Sequence, residues 1–132
     1  MIKYKIIRGE VMAIYESGEM YLENILILHE KSSFVRAIDI CKIMNLSKPS
    51  VSRAMKLLKN QGYITIDSEG EIDLTESGRV IAEKIYERHR LLSSWLISLG
   101  VNEETAVNDA CKIEHDISDE TFEIIKQHIN KK

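Results

Sequence analysis

The sequence predicts a mainly α-helical chain that carries one small β-hairpin. Three observations lead there. Apolar residues recur at helical spacing over most of the 132 residues. Cap residues and glycines interrupt that spacing at Ser47, Gly62, Thr75, Gly100, Asn102 and Ser118. Between Tyr63 and Leu74 the period changes: two short alternating segments flank the turn residues Asp67-Ser68-Glu69-Gly70.

Composition agrees with a folded chain. Hydrophobic residues make up 44% and charged residues 30%, and a single proline and six glycines leave no linker-like stretch. No apolar run, Ile25-Leu26-Ile27-Leu28 included, comes near the length needed to span a bilayer, so no membrane partner is expected. The first ten residues are charged and lack the apolar segment of a secretory signal. Two widely separated cysteines then read as reduced thiols, and the expected location is the cytoplasm. The net charge of −3 hides an asymmetry. From Lys31 to Ile66 there are seven Lys/Arg and one acid, Asp39, whereas Asp67 to Lys132 holds 15 acids and eight bases. A basic middle suits a polyanion, and an acidic C-terminal half suits cations or a partner subunit.

Taken in order, residues 1–16 admit two readings. Ile2, Tyr4 and Ile6 alternate with lysines as a short strand would, and Val11–Tyr15 fits an added helical turn. Ser17 is a fair N-cap for a helix to about Glu30, with Tyr21, Leu22, Ile25, Leu26 and Leu28 as its apolar stripe. Met20 and Glu23 share a face. By themselves, Met20 fits gap-filling core and Glu23 a solvated charge.

The next two helical stretches sit close together. The first, ending at Met44, turns Ala37, Ile40, Cys41 and Met44 to one side. After Asn45-Leu46, Ser47 caps the second, and Pro49 in its first turn loses no hydrogen bond. Val51, Met55 (or Ala54) and Leu58 face inward, and Ser50, Ser52, Arg53, Lys56 and Lys59 face outward. Small hydroxyls opening a basic second helix form a helix-turn-helix pattern, able to enter a major groove and bond phosphates and base edges. With the hairpin that follows, this is a winged helix. The expected DNA-contacting set is Arg36, Ser47, Lys48, Pro49, Ser50, Ser52, Arg53 and Lys56. The wing tip is acidic, so it is expected to add little affinity for phosphate.

Thr75 caps a long helix from Glu76 to about Leu99. Its stripe is Ile81, Ile85, Arg88 by its stem, Leu92, Trp95 or Leu96, and Leu99, widened by Val80 and Leu91. So broad an arc exceeds what one domain covers and points to a homodimer. His89 lies midway, where a single histidine is more often structural than a ligand. Asn102 and Ser118 cap two further helices, each with acids in the first turn. In the first of these, Cys111, Glu114 and His115 are three and four positions apart, so a thiol, a carboxylate and an imidazole project from one face. Each ligates transition metals, and sulfur biases against magnesium and calcium. The competing reading is a shared polar face. The expected domains are residues 1–75 (winged helix with its N-terminal arm) and 76–132 (helical).

Together these segments resemble the DtxR/MntR family of metal-dependent transcriptional repressors. The matching pieces are Glu19-Met20-Tyr21-Leu22-Glu23, Asp39-Ile40, Leu46 to Arg53, Gly62-Tyr63-Ile64, Leu74-Thr75-Glu76-Ser77-Gly78, Arg88-His89-Arg90-Leu91-Leu92, Leu99-Gly100-Val101, Ala110 to His115, and Ile117-Ser118-Asp119-Glu120. The resemblance implies an N-terminal winged helix-turn-helix followed by a helical metal-binding and dimerisation domain. It also implies a homodimer on a double-stranded DNA operator, in a short form without the SH3-like domain of longer members. Carried over by position, the metal ligands are Met20, Glu23, His89, Cys111, Glu114 and His115. Manganese-type members resemble the chain at Glu23 and His89 but usually carry acids at the positions of Met20 and Cys111, where iron-type members carry Met and Cys. Ser93 and Val107 stand where the iron-type ancillary site expects Glu and His, so no second metal of that type is expected. Sulfur donors favour iron(II) over manganese(II), with manganese(II) the second choice. The rival readings are a winged-helix regulator that senses no metal, a metal carrier and a metal-dependent hydrolase. The last lacks a glycine-rich loop, a nucleophile–base pair and an open acidic cluster, so no enzyme is expected.

Overall fold

The computed structural model describes the backbone of residues 5–131 and the side chains from residue 18 onward. The described elements are α1 (Lys5–Lys31), α2 (Ala37–Met44), α3 (Lys48–Asn60), β1 (Ile64–Ile66), β2 (Ile72–Leu74), α4 (Glu76–Ser98), α5 (Glu103–Asp116) and α6 (Asp119–Asn130). The chain divides into two compact units, one ending at Glu83 and the other beginning at Lys84.

The first unit is built on α1, which packs against α2, α3 and β2. Leu22, Ile25, Val35, Ile40, Val51, Met55, Leu58, Ile64 and Ile72 form its core, each at most 3% exposed. Ser47 caps α3 as expected: its Oγ accepts from the Ser50 amide, and Pro49 occupies the first turn. Gly62 follows α3 with φ +85°, which a glycine adopts without a β-carbon clash. β1 and β2 pair antiparallel, with Ile64 opposite Leu74 and Ile66 opposite Ile72. Asp67 Oδ1 closes their turn by accepting from the amides of Glu69 and Glu71.

Two expectations for the N-terminal stretch need correction. The chain is helical from Lys5, so Val11–Tyr15 are helical as one of the two readings had it, and Lys5 and Ile6 of the alternative strand are not strand; residues 2–4 lie outside the described residues. Ser17 does not cap a helix but lies inside α1. Serine and glycine are weak helix formers, yet packing outweighs that preference. A β-carbon at Gly18 would meet Leu58 Cδ2 at 3.6 Å, so this part of α1 lies against α3.

The second unit has its core at Leu92, Ala110 and Phe122, with Leu91, Trp95, Ile113, Ile117 and Ile125 packed around it. Asn102 and Ser118 cap α5 and α6 through bonds from the amides of Glu104 and Thr121. Gly100, at φ +107°, makes the turn after α4. Along α4, Ile85, Arg88 and Leu92 are buried as expected, whereas Val80 and Leu99 are 61% and 60% exposed. The buried arc is therefore narrower than the apolar one, because the described residues leave these two side chains uncovered.

Candidate metal centre and nucleic-acid interface

Helix α5 brings Cys111, Glu114 and His115 together. One ligand atom from each lies within 4.8 Å of the others. Glu114 is fully buried, although a carboxylate loses strong hydration on entering the interior. Its Oε2 lies 3.1 Å from His89 Nδ1, so α4 contributes a fourth group to the cluster. Its Oε1 lies 3.4 Å from His115 Nε2 and accepts no hydrogen bond among the described residues. The His115 side chain is 6% exposed, and Cys111 is half-buried with a free thiol. A buried carboxylate with one oxygen left over, faced by imidazole and thiol donors, fits a transition-metal cation.

The other two expected ligands lie on α1 in the first unit. Met20 is half-buried, and its carbonyl accepts from Asn24 Nδ2 at 2.8 Å. Glu23, three positions on, is 6% exposed. Their i, i+3 spacing places them on one face of α1, as expected. Of the two positions tied to an ancillary site, Ser93 is 8% exposed, with an Oγ that has no hydrogen-bond partner among the described residues. Val107 is exposed on α5.

Sequence reasoning treated Arg88 as an apolar stem. The structure shows a buried guanidinium instead. Nη1 donates to the carbonyls of Glu114 at 3.0 Å and Ile117 at 3.2 Å, and Nη2 pairs with the Asp119 carboxylate. The signal available was a cationic residue at a core position, since buried charges are normally paired.

On the expected DNA-binding face, Lys48, Pro49, Ser52, Arg53 and Lys56 are exposed on α3. Ser47 and Ser50 join them at the start of the helix, with hydroxyls bonded to each other at 2.9 Å. Their cap role leaves them less free to contact phosphate than Ser52. Arg36 sits apart from the helix: its amide donates to Asp39 Oδ2, and its guanidinium lies 4.6 Å over the Phe34 ring. Behind α3, burial raises the Tyr21 phenol above its ordinary pKa of 10.0; Cys41 adds to the rise and Arg53 opposes it.

Comparison with known proteins agrees with this geometry. Residues 13–70 match the model of the iron dependent repressor N-terminal DNA binding domain, and residues 75–131 match the iron dependent repressor metal binding and dimerisation domain. An uncharacterised HTH-type transcriptional regulator of Methanocaldococcus jannaschii is 35% identical over 118 residues, covering 88% of this chain and 94% of that protein. The HTH-type transcriptional regulator MntR of Geobacillus thermodenitrificans is 33% identical over 102 residues, or 77% of this chain and 72% of that protein. Among solved structures, the manganese regulator SloR superposes with a TM-score of 0.77 at 28% identity over 86% of this chain. The present chain spans about half of SloR, 53% of its length. Two consecutive family models, close relatives and a shared fold lead to one conclusion: the chain belongs to the DtxR/MntR family of metal-dependent, DNA-binding transcriptional repressors, which are not enzymes.

Proposed function

We propose that the chain represses transcription as a homodimer whose operator binding is switched on by a divalent transition metal, with iron(II) as the physiological effector. The observation that carries this reading is the Glu114 carboxylate. It is fully buried, with His89 at one oxygen and a second oxygen that accepts no hydrogen bond among the described residues, and one of its oxygens lies within 4.8 Å of ligand atoms of Cys111 and His115. A cation there would offset the cost of burying the charge. In this reading Met20 and Glu23 complete the ligand set, so metal occupancy fixes α1 to the dimerisation region. When bound, the metal supplies positive charge and a preferred donor geometry. The side chains of this protein supply the donors, and α3 supplies the DNA contacts.

Fixing α1 sets the separation of the two recognition helices in a dimer, and operator half-sites about 34–36 Å apart reward a fixed spacing. By linkage, operator DNA must then tighten metal binding by the same factor. Arg53 and Lys56 neutralise phosphates, Ser52 and Lys48 fix register, and the acidic wing stays off the backbone. The chain acts in the cytoplasm, and none of its described helices is long and apolar enough to cross a membrane.

Iron is favoured by the sulfur donors Cys111 and Met20. A manganese effector is the second reading, favoured by the manganese regulators among the solved structures it resembles. Anaerobic calorimetric titration of metal-free protein with iron(II) and manganese(II) in parallel, with His115→Ala as control, decides between them. Tighter iron binding, lost in the variant, is the expected result. Tighter manganese binding would assign the second reading. No binding of either would leave a winged-helix regulator without a metal sensor.

A further inference from the structure

Arg88 and His89 are neighbours on α4, and they hold opposite ends of one residue. His89 Nδ1 lies 3.1 Å from the Glu114 carboxylate, while Arg88 Nη1 donates to the Glu114 backbone carbonyl at 3.0 Å. The same guanidinium bonds the Ile117 carbonyl, pairs with Asp119 at the start of α6 and lies 5.1 Å from the centroid of the Phe122 ring. Helix α5 ends at Asp116, so the Glu114 and Ile117 carbonyls are among those left without helical partners. Arg88 satisfies both and brings positive charge to the negative end of the helix. This costs desolvation: Arg88 is 5% exposed, and its Nε has no hydrogen-bond partner among the described residues. A neutral side chain could fill the space without that cost, so the charge and its planar fork have a purpose beyond packing.

We propose that Arg88 is the positioning residue of the metal centre. By fixing the backbone at Glu114, it sets where the carboxylate stands against His89, and so sets the affinity and donor geometry offered to a cation. The proposal rests on the reading of Glu114 and His89 as metal ligands. Lysine at this position would keep the charge but could not span two carbonyls and a carboxylate in one plane.

The test is an anaerobic cobalt(II) titration of the full chain, read by calorimetry and by the visible ligand-field bands of cobalt. It compares wild type, Arg88→Lys, Asp119→Asn, Glu114→Gln and Ile125→Ala, the last a core variant of the same unit that is not one of the Arg88 hydrogen-bond partners. Arg88→Lys is expected to weaken cobalt binding about 10- to 100-fold, the scale for groups that orient a ligand, and to move the bands while far-UV dichroism is unchanged. Ile125→Ala should lower the melting temperature of metal-free protein and leave the bands as in wild type. Asp119→Asn, at an exposed site, should give a smaller shift in the direction of Arg88→Lys, and it carries the test if Arg88→Lys does not fold. Wild-type affinity and bands in Arg88→Lys, or in Asp119→Asn where that variant stands in, would overturn the proposal. Bands in Ile125→Ala that move as far as in Arg88→Lys would also overturn it, by reducing Arg88 to a structural role. If Glu114→Gln binds cobalt like wild type, the ligand assignment itself fails, which is visible without reference to any Arg88 variant.

Discussion

The backbone carbonyl of Tyr63 occupies the space that a β-carbon on Gly78 would need: the two atoms would be 2.0 Å apart. That carbonyl already accepts from the Thr75 amide, and the Gly78 amide is bonded by Thr75 Oγ1, so neither side can retreat. Gly78→Ala is therefore expected to destabilise the winged-helix unit by about 3 kcal/mol, the upper end of overpacking costs, because backbone rather than a flexible side chain must move. Urea unfolding measures it. A loss below about 0.5 kcal/mol would mean that the start of α4 shifts freely, since that is the range of ordinary surface changes.

Gly18 should respond in the opposite sense. It is inside α1, and a β-carbon there would make an ordinary contact with Leu58. Gly18→Ala is expected to stabilise by about 0.5–1 kcal/mol, through helix propensity and a less flexible unfolded chain. A lower urea midpoint would show that the contact is tighter than it looks.

These two glycines mark what sequence reasoning can and cannot reach. Caps at Ser47, Asn102 and Ser118 and the turns at Gly62 and Gly100 were legible because each depends on a few adjacent residues. The hairpin and the Cys111–Glu114–His115 face were legible for the same reason. Ser17 misled because its local signal is genuine and a contact with α3, forty residues away in sequence, outweighs it. The burial of Glu114 and its pairing with His89, 25 positions apart, had no local signal. Arg88 looked like a stem because periodicity reports where a residue points and not what its end group bonds.

The exposed bases of α3 make a separable prediction. Arg53→Ala and Lys56→Ala should each weaken binding to any duplex and reduce the slope of log affinity against log salt by about 1. Fluorescence anisotropy with a random-sequence duplex across a salt series measures both. An unchanged slope would place those side chains away from phosphate.

Metal choice should follow Cys111. Cys111→Ser removes the soft donor of the α5 cluster, so iron(II) and cobalt(II) affinity should fall at least about tenfold more than manganese(II) affinity. Competition against a chromophoric chelator under nitrogen measures all three. Equal losses would remove sulfur as the source of selectivity.

Asp119 predicts a pH dependence. The hydrogen bond from Lys84, 2.8 Å away, holds its carboxyl below the ordinary 3.8; Arg88 adds to this, and burial opposes it. A carboxyl depressed on folding stabilises above its unfolded pKa, and the gain disappears as pH falls through the folded one. Asp119→Asn should therefore cost about 0.5 kcal/mol near pH 6, the scale of a largely exposed pair, and progressively less as the pH is lowered below the ordinary carboxyl range. Denaturant unfolding across that pH range measures it. A cost that persists in acid would assign the effect to packing.

Ile72 has both of its backbone groups committed outside the hairpin. Its amide donates to the Val35 carbonyl at 2.8 Å, and its carbonyl is bonded by His29 Nε2 at 2.8 Å from the last turn of α1. The wing is thus bolted to the same helix that carries Met20 and Glu23 and that rests on α3 at Gly18. Mechanically, α1 is a beam with the wing fixed near one end and α3 resting on it at Gly18. A force applied to α1 would therefore be passed to the wing and to α3 together.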